Sequence, residues 1–313
     1  MRILFITASR IGDAVLSTGV LHWLAQTYPQ ARITVACGAA AADLFAAAPQ
    51  VERVIPMVKR RRAGHWFDLW RQTCGTFWSL VVDLRGSALA WAVPALKRRI
   101  LRSSWEPKHR IAHLASVLGI PPQNPVLWAS PRHQAEAEAL IPEGSPVLGI
   151  GPTANWGAKQ WPAERFTQVV ARLTAADGIL PQARVAVFGG PAERDAAQPL
   201  LDAIPPERRI DLVGTCDLGT AFACLRRLAL YLGNDSGLMH MAAAADVPTL
   251  GLFGPSSEVF YGPCGPKAAS IRGPRSFEDI CHAPDYDYRS HACLMLDLTV
   301  DKVASAAETL FRR

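Results

Sequence analysis

The chain has 313 residues, 50% of them hydrophobic and 19% charged, with a formal net charge of +6. That is about twice the roughly 150 residues of one ordinary domain, so two α/β domains or one large one are expected and a dominant disordered tract is excluded. No run of about 18 uninterrupted apolar residues occurs, and the short run at residues 3–8 is broken by Arg10 and Asp13, so neither a membrane span nor a secretion signal is expected.

Taken in chain order, apolar runs at residues 2–8, 33–37, 51–56 and 80–84 predict β-strands, separated by helical patterns such as residues 14–27. Short apolar strands alternating with helices imply a parallel sheet. Between residues 59 and 110 lies most of the first half's basic excess, including Lys59-Arg60-Arg61-Arg62 and Lys97-Arg98-Arg99 with Arg102, interleaved with Trp66, Trp70, Trp78, Trp91 and Trp105. Residues 1–150 carry 17 Lys and Arg against 9 Asp and Glu, a net of +8, whereas residues 151–313 carry 16 against 18. Such a basic first half attracts polyanions or an anionic membrane face. The bland alternative is a solvated basic surface with the tryptophans in the core. No nucleic-acid-binding module is recognisable, so nucleic acid is not expected as a partner.

From residue 119 to 152 the chain is punctuated by Pro121, Pro122, Pro125, Pro131, Pro142, Pro146 and Pro152, a texture expected to support few long elements. The linker is placed there, giving an N-terminal domain at 1–145 and a C-terminal domain at 146–313. The second half repeats the alternation, with strands predicted at 147–150, 184–188, 210–213, 228–232 and 249–253 and helices around 164–175, 193–204, 220–228 and 238–245. A last helical pattern at 300–313 places Val300, Val303, Ala307 and Leu310 on one face and is expected to pack back on one of the domains, the N-terminal one included. In open parallel sheets ligands bind outside the carboxyl ends of the strands, so two such domains facing across a cleft would hold the chemistry between them.

The cysteines number seven with no C-x-x-C pair, so neither a disulfide framework nor a zinc-ribbon spacing is visible, and a reducing, cytoplasmic compartment is expected. Cys281, His282, His291 and Cys293 match no standard metal spacing and are read as loop packing, with no metal site assigned.

Three segments at predicted strand ends carry chemistry. In Gly233-Asn234-Asp235-Ser236-Gly237-Leu238-Met239-His240, Asn234, Asp235 or Ser236 can cap a helix, Gly237 lets backbone approach a ligand, and the free N–H groups of the first turn form an anion site. His240 can lean over that turn. The alternative is a capped core helix with a buried histidine. In Gly151-Pro152-Thr153-Ala154-Asn155-Trp156-Gly157-Ala158-Lys159, Lys159 is a mobile cation suited to two phosphates, or a solvated loop lysine. In Arg10-Ile11-Gly12-Asp13, Asp13 either supports a helix start or offers a carboxylate that takes a proton from a sugar hydroxyl.

These segments, with Gly157-Ala158-Lys159-Gln160-Trp161-Pro162 and Phe253-Gly254-Pro255, resemble in order the ADP-heptose:lipopolysaccharide heptosyltransferases of glycosyltransferase family 9, over nearly the whole chain. The resemblance implies a GT-B fold of two Rossmann-like domains and an inverting, metal-independent enzyme without cofactor. It implies transfer of heptose from ADP-heptose to an anionic glycolipid acceptor of the lipid A/Kdo type, with peripheral contact at the inner face of the inner membrane. Asp13 would then be the general base. Gly12, Thr153, Asn155, Lys159, Asp235, Ser236, Gly237 and His240 would hold the nucleotide sugar, and Glu193 would meet the ribose hydroxyls or merely serve its helix dipole. Two rival readings stand beside it: another sugar-nucleotide enzyme of the same architecture, such as a UDP-GlcNAc 2-epimerase, and a non-catalytic nucleotide-binding protein.

Overall fold

The computed structural model describes residues 1–104 and 106–313. The chain divides into two compact units, Met1–Ser130 and Pro131–Arg313. Trp105 lies outside the described residues.

In the first unit, β1 (Arg2–Ile6), β2 (Arg32–Gly38), β3 (Val51–Met57), β4 (Trp78–Asp83) and β5 (Ala95–Ile100) form one parallel sheet in the order β3-β2-β1-β4-β5. The central β1 buries Ile3, Leu4, Phe5 and Ile6 completely, on both faces, as a strand covered by helices on two sides must. The helix Ile11–Thr27 is likewise buried almost all round, from Ala14 to Leu21. Its Gly19 is required by close approach: a Cβ there would stand 2.5 Å from the Asn124 carbonyl oxygen, and Val126 N–H donates to Thr18 Oγ1 at 3.1 Å. Strand β5 escaped the sequence reading because Lys97 and Arg99 point to solvent from a sheet edge, where charged side chains are the rule.

In the second unit, β6 (Val147–Gly151), β7 (Arg184–Gly189), β8 (Arg209–Val213), β9 (Leu230–Asn234), β10 (Thr249–Phe253) and β11 (Ala268–Arg272) form a parallel sheet in the order β11-β10-β9-β6-β7-β8. The C-terminal helix Val300–Phe311 buries Val303, Ala304, Ala307 and Leu310 in this unit's core, beside the helix Ala163–Leu173. The proline-rich stretch holds a ten-residue helix after all, Pro131–Leu140. Pro131 opens it, a position where proline's missing N–H would be unbonded in any case. It packs on the helix Leu218–Leu225: the His133 ring occupies the space a side chain at Gly219 would need, Arg132 reaches Asp217 at 2.5 Å, and Thr220 Oγ1 donates to Glu136 at 2.6 Å.

In each sheet the strand order reverses once, between β1 and β4 and between β6 and β9. The carboxyl ends of those pairs are where an open α/β sheet leaves room for a ligand.

Asp217 caps the helix Leu218–Leu225 through the Thr220 N–H at 2.8 Å. Burial alone would raise its carboxyl, but Arg132 and Thr220 outweigh that and hold it at about 2. Because the folded value is depressed, the stabilisation is complete above the ordinary aspartate range and fades as pH falls from about 4 to about 2. Asp217→Ala should therefore lower Tm at pH 7 by about 3 °C, as loss of a helix cap does, with the gap to the parent narrowing through that acid window in thermal melts.

Candidate functional site

In the first unit, β1 runs out at Ile6 and the helix Ile11–Thr27 begins five residues later, with Asp13 in its first turn and Gly12 beside it. The N-cap is Arg10, whose side chain makes no capping bond, so Asp13 neither caps this helix nor is sequestered by it. Its Oδ1 lies 3.5 Å from Nε of Arg110, both side chains 25% exposed, and that Nε–H is buried without a hydrogen-bond partner. Arg110 continues to His113 at 3.0 Å, which binds the Arg102 carbonyl at 2.9 Å. At the end of β4, the fully buried Asp83 accepts from Arg85 N–H at 2.8 Å, Ser87 N–H at 2.7 Å and Ser87 Oγ at 2.6 Å, fixing a turn that sends Arg85 to Ser9 Oγ at 3.0 Å and over the Trp66 ring. Asp13, Arg110 and Arg85 are thus gathered about the carboxyl ends of β1 and β4. The two arginines carry no local motif and are separated from Asp13 by 97 and 72 positions, so no pattern in the sequence announces them.

In the second unit, the loops after β6 and β9 are stitched by one side chain. Asn234, fully buried, accepts from the Trp161 N–H at 3.1 Å and donates to the Pro152 carbonyl at 2.7 Å. That seats Lys159, on a single helical turn Gly157–Lys159, with Nζ 2.6 Å from Asp235 Oδ2. Lys159 is 21% exposed and Asp235 only 7%, so the pair is partly desolvated. Asp235 accounts for one ammonium hydrogen, and an ammonium has three. The turn is gripped from behind: Trp156 Nε1 donates to the Ser290 carbonyl at 2.7 Å, and His291 Nδ1 accepts from Gly157 N–H at 3.3 Å. His291 and Cys293 are therefore engaged with backbone groups, Cys293 with Met295 N–H. Among the described residues, no three His, Cys, Asp or Glu side chains are disposed to hold a metal ion.

Ser236 is the N-cap of the helix Gly237–Ala244, yet its hydroxyl makes no capping bond and is buried without a partner. The first-turn N–H groups therefore remain open at the positive end of the helix. His240, 3% exposed, lies on the same first turn. Thr153 is also buried with its hydroxyl unpartnered, while Asn155 is exposed. Glu193 Oε2 accepts from Gly190 N–H at 2.6 Å. A Cβ on Gly189 would stand 3.5 Å from both Glu193 Oε2 and Thr153 Oγ1, which puts the carboxylate and the hydroxyl around one bare stretch of backbone. Thr153, Lys159, Glu193, Asp235, Ser236, Gly237 and His240 thus all belong to loops at the strand ends of one sheet, and Asp13 and Gly12 to the other. At Phe253-Gly254-Pro255, Gly254 leaves space that Met295 fills, and Arg272 bridges its carbonyl at 3.1 Å to the carboxylate of Glu258.

The family model for glycosyltransferase family 9 (heptosyltransferase) matches residues 69–285. The chain belongs to this family. It is 29% identical to lipopolysaccharide heptosyltransferase 2 of Salmonella typhimurium over 87% of this chain and 88% of that one. Among solved structures, a glycosyltransferase family 9 protein from Veillonella parvula superposes with a TM-score of 0.83 at 22% identity, covering 99% of this chain and 97% of the other. The Escherichia coli ADP-heptose lipopolysaccharide heptosyltransferase II does so at 0.77 and 24%, covering 100% and 99%. The two Rossmann-like sheets are thus those of a GT-B glycosyltransferase, and the family 9 chain is an enzyme that transfers a glycosyl group.

Asn234→Leu should leave the Trp161 N–H and the Pro152 carbonyl buried and unpaired. A loss of about 2–4 kcal/mol of stability is expected in urea denaturation.

Proposed function

We propose that this chain moves a heptose from ADP-heptose to an anionic lipopolysaccharide inner-core acceptor, inverting the anomeric centre without a divalent metal. The names of its relatives supply the sugar and the acceptor class. The observation that carries the reading is the polar end of the second unit, where a held lysine, an open helix start and two unpartnered buried hydroxyls surround the carboxyl ends of β6 and β9.

The chemistry asks for two things. As the acceptor oxygen attacks the anomeric carbon, the bond to the diphosphate breaks, ADP leaves with the electron pair, and the acceptor's proton must go to a base. Attack from the side opposite the leaving group inverts the centre. Asp13 is assigned the proton, being a partly exposed carboxylate that caps nothing, with Gly12 beside it. The diphosphate gains charge as it departs, and preorganised donors are worth most there. Lys159, aimed by Asp235, together with Ser236, Gly237 and His240 at the helix start, is assigned that charge, with Thr153 and Asn155 at the phosphates and Glu193 at the ribose hydroxyls. No divalent cation has a role in this account.

In a coupled assay run in excess EDTA, the parent should keep its turnover while Asp13→Asn loses at least about 1000-fold and still binds ADP. In the same preparations Lys159→Ala should weaken ADP binding about tenfold or more by calorimetry. Near-normal turnover of Asp13→Asn, or unchanged ADP affinity in Lys159→Ala, would remove that residue from the mechanism.

The acceptor is a membrane glycolipid in this reading, and the first unit supplies a surface for it. Among the described residues no helix is long and apolar enough to cross a membrane. Yet Phe67, Trp91 and Leu96 are 59%, 71% and 68% exposed. Contacts link the two aromatic positions: Phe67 stacks on Trp70, Trp70 Nε1 donates to the Ala92 carbonyl at 3.1 Å, and the Arg98 guanidinium lies 5.7 Å from the centre of the Trp91 ring. Exposed Arg71, Lys97 and Arg99 flank it. Aromatic rings beside cations suit the headgroup layer of an anionic leaflet, and we assign this face to peripheral contact on the cytoplasmic side. Cosedimentation with phosphatidylglycerol vesicles should fall about tenfold or more in Phe67→Ala/Trp91→Ala, and binding to phosphatidylcholine vesicles should be weak for both proteins. Equal binding of parent and variant to the anionic vesicles would refute the assignment.

A further inference from the structure

A buried tyrosine on β9 has no use in the account above. Tyr231 is completely inaccessible, its ring set edge-on to Phe188 with centroids 6.4 Å apart. The space it fills is made by glycines. Gly149 and Gly151 on β6 stand in register with Tyr231 and Gly233 on β9. A Cβ on Gly149 would meet Leu228 first, at 2.3 Å, and the tyrosine ring at 3.3 Å; one on Gly233 would lie within 2.7 Å of the tyrosine hydroxyl, and one on Gly151 would collide with that hydroxyl outright. Two adjacent central strands therefore forgo side chains at Gly151 and Gly233 to let one phenol point along the sheet toward its carboxyl end.

That phenol oxygen has no hydrogen-bond partner of good geometry within the protein, and neither has Ser236 Oγ, which stands beside it at the helix start, near enough to act on it. Two neighbouring buried hydroxyls without partners are unfavourable, and a phenylalanine would fill the same cavity free of that penalty. The arrangement makes sense when a strong acceptor arrives: an anionic oxygen accepting a hydrogen bond from the Ser236 O–H fixes that rotor toward the ligand and leaves a serine lone pair free to accept from the phenol. Burial, reinforced by the charge of Glu193, pushes the phenol's pKa far up despite the neighbouring serine, so Tyr231 stays a donor.

We propose that Tyr231 is a positioning residue for the nucleotide diphosphate, its O–H donating to Ser236 Oγ and thereby aiming the Ser236 O–H at a phosphate oxygen. This rests on the reading that the donor's diphosphate occupies the start of the helix Gly237–Ala244. Hydrogen bonds in series polarise one another, so the serine donor is strengthened as the leaving group gains charge.

The test is ADP calorimetry on the full-length parent, Tyr231→Phe, Ser236→Ala and the double variant, with a thermal melt of each unliganded protein. Tyr231→Phe should weaken ADP about five- to tenfold while its own Tm stays equal or rises, and should have no further effect in the Ser236→Ala background. ADP binding by Tyr231→Phe within twofold of the parent would overturn the proposal. So would a loss that adds to that of Ser236→Ala alongside a lower Tm, since that would mark the tyrosine as packing alone. If Ser236→Ala weakens ADP and Tyr231→Phe does not, only the role of Tyr231 falls; if the parent does not bind ADP, the reading of the site falls with it.

Discussion

The amide side chain of Asn234 is the joint on which the second unit's site depends. Loops are free to wander unless their backbone groups are tied down, and here the loop that carries the lysine and the loop that leads into the helix share a single buried donor and acceptor. With that link in place, Asp235 is held where it meets Lys159, and Ser236 is held where its hydroxyl has nothing in the protein to cap. Three consecutive residues thus do three different jobs because the strand carrying them ends between them. Asn234 still belongs to β9, Asp235 leaves it, and Ser236 opens a helix.

In the proposed reading, an ion pair at a phosphate site looks at first like wasted charge. The partial burial of Lys159 and Asp235 resolves this. A lysine alone at the same place would sample many rotamers, and ordering it on ligand binding would be unfavourable. Asp235 has already ordered it, at the expense of part of its field, and the unbonded N–H groups of the neighbouring helix turn add positive potential that needs no side chain. The first unit is built on the opposite principle. There a carboxylate, Asp13, stands beside Arg110 in a basic neighbourhood.

How much of this was readable beforehand follows the physics of each part. Apolar strands with covered faces, such as β1 and β9, stand out as runs of hydrophobic residues, and the loops after them stand out because glycine, asparagine and serine interrupt those runs. Strands β5 and β11 do not, since Leu96, Lys97 and Arg99 of β5 are exposed and β11 has no fully buried residue, so both read as charged or mixed segments. The helix opening at Pro131 was hidden by the prolines around it, one of which starts it. Arg110, Arg85 and Glu258 owe their places to tertiary contacts between residues far apart in the chain. Tyr231 was invisible for another reason: in sequence it is one more apolar residue of a buried strand, and only the glycines facing it across the register reveal that its hydroxyl is directed somewhere.

The outermost strand of the first sheet carries a consequence beyond ligand chemistry. Arg98 turns its guanidinium inward and donates to the carbonyls of Ala90, Val93 and Ala95, closing the bend that leads into β5, while Lys97 and Arg99 project from the strand's rim. A second copy of the chain approaching β5 to β5 would bring its own Lys97 and Arg99 against these, and the mutual repulsion opposes that pairing. The protein is thereby able to keep an aromatic strip open to its surroundings without that edge becoming a seed for fibrous self-association.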